Sequence, residues 1–191
     1  MAHQLSINLN LLQPPVCGMK LDAQRFPGGL GQTPVMPCLV AKGEAADGIA
    51  QQSVPWDRYE CALELYDEEG LVRLQDDLFF GLHPVSYRLI PSMEDQSQLD
   101  VLFIFNEIII RQTGFYRIRV ILYEIGRRRV ISSVMTDRFE IVEFDQFPRG
   151  ANDALLTPFS RHLRNHGVVL HLPPETDSID WDEYPTINGV L

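Results

Sequence analysis

Phe115-Tyr-Arg-Ile-Arg-Val-Ile-Leu-Tyr-Glu-Ile125 decides the fold. Tyr116, Ile118, Val120 and Leu122 recur at every second position, with Arg117, Arg119, Ile121 and Tyr123 between them. An apolar/polar period of two is the pattern of a strand with one buried face. The stretch is bracketed by Gly114 and by Gly126-Arg-Arg-Arg129, which reads as a turn into a returning strand over 130–135. Phe139, Ile141 and Phe144 predict one more strand.

Working outward, Val101-Leu-Phe-Ile-Phe105 and Ile108-Ile-Ile110 are β-branched and aromatic, which favours strand. Tyr59, Cys61, Leu63 and Leu65 share one face of another strand, Val85, Tyr87 and Leu89 mark a further one, and Leu5 to Leu11 alternates at period two. Met36 to Ala41 is a short strand candidate. Residues 17–37, with four glycines and Pro27, Pro34 and Pro37, predict a long irregular loop, and 43–56 a flexible connection. One helix is expected after Thr157, an N-cap residue followed by Pro158 at the first helical position; Phe159 and Leu163 give its apolar stripe and Gly167 its stop. Val168 to Leu172 reads as a last strand before Pro173-Pro174. Short strands separated by frequent turns, with one late helix, predict an all-β antiparallel sandwich. The domain is expected over 1–174, with 175–191 a loosely ordered acidic tail.

At 191 residues the chain is one generous domain, long enough to bury a core without staples. No run of eighteen apolar residues predicts a membrane span, and Met1 to Leu5 lacks the regions of a secretory signal. Three cysteines (Cys17, Cys38, Cys61), widely spaced and without a Cys-x-x-Cys pair, predict neither a disulfide framework nor a zinc knuckle, and place the chain in a reducing compartment, cytosol or nucleus.

The formal charge of -10 opposes nucleic-acid binding overall, but its distribution is uneven. Residues 57–98 hold three basic against ten acidic side chains, and 167–191 none against five. Residues 99–166 hold ten against eight, and all ten are arginine. Arginine is the residue for bidentate phosphate contacts and for stacking. Arg127-Arg128-Arg129 on a hairpin tip is therefore a candidate phosphate contact, weighed against an ordinary solvated turn; Arg111, Arg117, Arg119, Arg161 and Arg164 thicken the positive character around it. Lys20 and Arg25 sit in the long loop, where basic side chains read ligands.

Catalytic signals are poor. His162 and His166 are four apart on the helix, with His171 nearby, but Leu163 stands where a zinc-protease helix carries its glutamate. No Gly-x-Ser-x-Gly elbow or phosphate-cradling glycine loop occurs, and Asp67-Glu68-Glu69 and Asp76-Asp77 read as solvated turns. No metal, cofactor, catalytic residue or small-molecule substrate is expected; an enzyme or carbohydrate-binding sandwich has no supporting constellation.

Several ordered motifs carry a resemblance. Phe103-Ile-Phe-Asn-Glu-Ile-Ile-Ile-Arg111, Gly114 to Ile125, Phe139 to Phe144, Phe147-Pro148 and Thr157 to Gly167 resemble the velvet domain of fungal regulators of development, including sporulation, and of secondary metabolism. Gln13-Pro14, Cys17-Gly18, Gly81 and Val85-Ser86 resemble its earlier parts. The resemblance implies an immunoglobulin-like fold akin to the Rel and NF-kappa-B proteins. It also implies homo- or heterodimers with other velvet proteins, action in the nucleus with shuttling to the cytoplasm, and contact with double-stranded DNA through a basic N-terminal loop. That loop usually follows Cys-Gly with Lys-Asp-Arg-Arg-Pro. Here Lys20, Asp22, Arg25 and Pro27 match, and the paired arginine is reduced to one. The alternative is a velvet-like dimerisation module without DNA contact, acting through a partner velvet protein.

Overall fold

The computed structural model describes residues 6–20, 35–46, 49–81, 83–143, 146–147 and 157–170. Its strands are β1 (Ile7–Gln13), β2 (Cys17–Met19), β3 (Val35–Met36), β4 (Leu39–Ala45), β5 (Tyr59–Tyr66), β6 (Phe79–Gly81) and β7 (Val85–Ser86). They continue with β8 (Arg88–Pro91), β9 (Leu99–Phe105), β10 (Ile108–Ile110), β11 (Gly114–Glu124), β12 (Arg129–Met135) and β13 (Phe139–Val142). The single α-helix among the described residues is α1 (Pro158–Asn165).

The strands form an all-β sandwich. One sheet has the order β1-β4-β9-β8; the other runs β3-β2-β13-β11-β5-β7, with β12 also on β11 and a small β6-β10 pair beside them. Tyr116, Ile118, Val120 and Leu122 of β11 meet Leu63 and Leu65 of β5 and Val101, Phe103 and Phe105 of β9 in one apolar core. The period-two reading of β11 is thus the inner face of the central strand. All pairings are antiparallel except β13 with β2, where Glu140, Ile141 and Val142 run parallel to Cys17, Gly18 and Met19.

Two of the chain segments that pass from one sheet to the other do so across prolines. β1 and β2 belong to different sheets and are joined across Pro14-Pro15, whose rings cannot supply ladder donors. β3 and β4 do the same across Pro37. The Gln13 side chain, 4 % exposed, fastens the two crossings: its Nε2 donates to Cys38 O at 2.8 Å. Its Oε1 accepts from the hydroxyls of Thr157 and Ser160, which cap α1. Helix α1 then lays Leu163 and Phe159 over Val40, Leu102 and Ile104 on the outer face of the first sheet.

A second jog separates β12 from β13. Thr136, fully buried, gives its N–H to Ile118 O and takes the Ile118 N–H on its Oγ1, both at 2.9 Å, so a side chain replaces the missing main-chain acceptor.

Several boundaries differ from expectation. The described residues of 43–56 are not a flexible connection: Gly43 to Ala45 finish β4, Gln51–Ser53 is a 3-10 turn, and Trp56 opens another over Trp56–Arg58. The cause is Trp56, buried among Tyr59 and Phe103, with its Nε1 donating to Gln51 O at 3.0 Å. The irregular loop of 17–37 contributes β2 and β3 to a sheet. Val168 to Leu170 forms no strand; Val168 packs under the helix end instead. Phe144, Arg25, His171 and the segment 175–191 lie outside the described residues.

A Cβ on Gly43 would stand 2.6 and 2.7 Å from two ring carbons of Trp56. Gly43→Ala is therefore expected to destabilise the sandwich by about 1–3 kcal/mol, the usual cost of overpacking. A urea melt checks it: a midpoint equal to wild type would show that the indole wall yields freely.

Candidate nucleic-acid interface

The position of each basic side chain follows from the direction of β11. At its start, Gly114 pairs with Ile141, and the parallel neighbour of β13 brings Met19 alongside Val142. Lys20 follows, its N–H donating to Val142 O at 2.9 Å. At its other end Glu124 pairs with Arg129 and with Tyr59. Ten residue steps of extended chain separate the two ends, roughly 33 Å. Lys20 and Arg127–Arg129 therefore lie at opposite ends of the sheet and do not share one surface.

The hairpin turn gathers two of the three arginines around one carboxylate. Arg128 N–H donates to Glu124 O at 2.9 Å, and the turn uses left-handed backbone at Gly126 and again at Arg128, with φ of 81° and 50°. A non-glycine residue rarely adopts that conformation. Arg127 and Arg129 both reach Glu124, at 3.6 and 3.2 Å, while remaining 73 % and 44 % exposed. One carboxylate thus answers two guanidinium groups.

A fourth arginine joins them. Ile125 N–H donates to the Arg58 main-chain O at 2.8 Å, so exposed Arg58, nearly seventy positions before the hairpin in a region read as acidic, stands beside the tip. Nothing local in the sequence signals this; only the antiparallel register of β5 on β11 does. Next to the tip, the Tyr123 hydroxyl donates to Glu60 at 3.0 Å and is pushed up to about 12, by burial first and then by the Glu60 carboxylate.

Four other arginines of 99–166 do different work. Arg117 donates to Glu68 O at 2.8 Å and Thr136 O at 3.1 Å, tying a loop to the strand jog. Arg119 bonds Ser133 and lies 3.9 Å from Glu64. Arg111 stacks over Phe80 at 4.0 Å, and Arg138 over Phe115 at 4.5 Å. Arg111, Arg117 and Arg119 therefore brace the sheet rather than thicken the tip. At the far end Lys20 Nζ forms an ion pair with Glu143 at 3.1 Å.

The helix histidines are also occupied. His162 Nε2 sits 2.6 Å from Pro91 O and His166 Nδ1 2.9 Å from His162 O, with the two rings 4.4 Å apart. Among the described residues no three His, Cys, Asp or Glu side chains converge to hold a metal. No helix of the described residues is long and apolar enough to cross a membrane.

The fold is an all-β sandwich whose inner strands are given over to a continuous core. The sequence says which kind. The model of the Velvet factor family matches residues 62–174, more than half of the chain, and the protein belongs to the velvet family. The match begins within β5, so Lys20 and Arg25 lie before it. No curated protein matches the chain.

Burial governs the three thiols. Desolvation pushes Cys17 up to about 11, with Glu140 adding to it, and Cys38 up to about 12; Cys61 is raised well above the ordinary value by burial alone. All three are free, and a neutral thiol is a poor nucleophile. A disulfide-exchange reagent at pH 8 is expected to react slowly with the native chain and rapidly with three thiols once it is unfolded in guanidinium. The sign of the linkage follows: above about pH 9 the unfolded chain releases thiol protons that the native one keeps, so stability declines as pH rises. A fast-reacting native thiol at pH 8 contradicts the burial argument.

Proposed function

We propose that this velvet-family protein is a nuclear transcriptional regulator of fungal development and secondary metabolism. It acts as a homo- or heterodimer with another velvet protein, shuttles between nucleus and cytoplasm, and contacts double-stranded DNA. It is a regulator and not an enzyme, in keeping with its family.

The observation that carries the DNA contact is the tip: Arg127, Arg128 and Arg129 with Arg58 beside them and Glu124 the one carboxylate bonded among them. Guanidinium groups left partly unanswered at an exposed turn are suited to phosphate oxygens, which they meet in bidentate fashion. Lys20 and Arg25 take the lesser share, because Lys20 must give up Glu143 before it meets a phosphate. The reduced Arg-Arg pair of the loop points the same way.

A second reading keeps the sandwich and drops the DNA contact, leaving a dimerisation module that works through a DNA-competent velvet partner. The Lys20–Glu143 pair and the ten acidic residues of 57–98 favour it.

Fluorescence anisotropy against random-sequence duplex at several salt concentrations separates the two. Direct contact through the tip predicts micromolar binding that falls steeply with salt. Replacing Arg127, Arg128 and Arg129 by serine is expected to weaken binding at least tenfold and to flatten the salt slope by roughly 2 to 3 units, about 0.9 per lost phosphate contact. Lys20→Ser with Arg25→Ser should flatten it less. No binding by the wild-type chain at low salt, with binding restored when a velvet partner is added, establishes the module reading instead.

A further inference from the structure

The two sheets do not cover each other at the corner next to β8. Leu99 alternates with Val101, Phe103 and Phe105 on the inner face of β9, and Leu89 stands opposite Val101 in register. Both leucines should therefore belong to the core. They are instead 50 % and 52 % exposed, because the facing edge strand β7 is only two residues long and pairs with Glu60 and Cys61 alone. The gap is a recess of about 520 Å³ between β8, β9 and the 3-10 turns, floored by Trp56 and Val101 and flanked by Tyr87. That volume lies in the range of small-molecule sites.

Two properties distinguish this recess from a frayed edge. The first is rigidity. The Gln51 amide accepts from Ala45 N–H at 2.8 Å and donates to Gly43 O at 2.6 Å, and Trp56 is bonded to Gln51 O. Gly43 has no side chain, and the indole ring fills that space. The second is charge. The lining holds three glutamines, a serine, Tyr87 and apolar groups and no acidic or basic side chain; the one carboxylate bonded to the described lining, Asp95, sits behind Ser97 and Gln98 and is held by them at 2.7 and 2.9 Å, which disfavours an anion further. An apolar recess with an uncharged amide rim matches a neutral molecule. An ionised one would lose its hydration there without a counter-charge.

We propose that this corner of the sandwich is a binding site for a neutral, largely apolar small molecule. Its apolar body would rest against Leu89, Leu99, Val101 and Trp56, and its polar edge would meet the Gln52 amide and the Gln98 Oε1, the Gln98 nitrogen being held by Asp95. The site is separate from the arginine tip and does not depend on DNA contact.

Nile red, a neutral planar dye, is the probe. The full chain carries two tryptophans, so Trp181→Phe leaves Trp56 as the one indole emitter. Titration is expected to give one-site saturation of dye emission together with quenching of Trp56 by energy transfer to the bound dye. Leu99→Glu and, independently, Leu89→Glu put a carboxylate at half-exposed positions, where the core loses little. Each is expected to weaken dye binding at least tenfold with the thermal midpoint nearly unchanged. Should either variant fail to fold, Gln52→Glu at the exposed rim makes the same electrostatic test. Non-saturating dye uptake, or saturable binding unaffected by these substitutions, overturns the proposal. So does a wild-type oligomer that excludes the dye and that Leu99→Glu converts to monomer, since the recess is then a protein interface.

Discussion

The Gln13 amide is the point on which the two sheets and the helix all depend. A β-sandwich whose strands change sheets must hold each crossing in place, and prolines at Pro14, Pro15 and Pro37 remove the main-chain donors that would do so. The buried amide supplies what they lack. Its nitrogen holds the second crossing at Cys38, and its oxygen receives two hydroxyl donors from the first turn of α1. A buried side-chain amide is costly without partners, and here both of its ends have them. The arrangement makes the helix part of the crossing. Thr157 caps α1 by accepting from Ser160 N–H at 2.9 Å while its hydroxyl turns to Gln13. Cap, crossing and sheet edge therefore form one hydrogen-bonded unit, and Leu163 and Val168 seal it against the outer face of the first sheet.

What could be seen in the sequence was whatever repeats locally. The central strand β11, its partner β5 and the helix from Pro158 announce themselves through a period of two or a cap signal, because burial on one face imposes the pattern residue by residue, and β9 across the core announces itself through its β-branched and aromatic run. The crossings do not repeat. Cys17 to Met19 and Val35–Met36 are two or three residues each, too short for a period, and they become strands only because β13 and each other supply partners. Trp56 hid the close of β4 in a similar way: the glycine, glutamine and proline around it have loop composition, and one buried ring organises them into turns. In each case tertiary pairing overrides a composition that, read alone, denotes a loop.

The candidate interface divides along the same line. The arginine run at 127–129 was legible because it is contiguous. Its companion Arg58 was not, since register alone brings it to Ile125. The arginines at 111, 117 and 119 illustrate the converse error. A count of guanidinium groups treats them as free charge, whereas in the folded chain they stack on rings, satisfy buried carbonyls or answer a glutamate. Which arginines are free for a ligand is decided by what the fold leaves unanswered, and that quantity has no sequence signature.

The separation of the two basic ends constrains any complex with nucleic acid. A duplex laid lengthwise along the second sheet would span from Lys20 to the tip, roughly 33 Å, about one turn of B-DNA. To do so it would run over the outer face of β5 and β11, where Glu60 and Glu64 alternate with the inward-facing core residues. Glu64 is already shared by Arg73 and Arg119, and Glu60 holds Tyr123, so these carboxylates are fixed in place rather than free to swing aside. Lengthwise docking would set phosphates over a middle of mixed charge, where Glu60 and Glu64 stand beside Arg73, Arg117 and Arg119, rather than over a uniformly basic surface. End-on approach avoids that middle and brings the phosphates to one end at a time. A duplex that meets the sandwich end-on therefore touches Lys20 or the arginine tip, and not both.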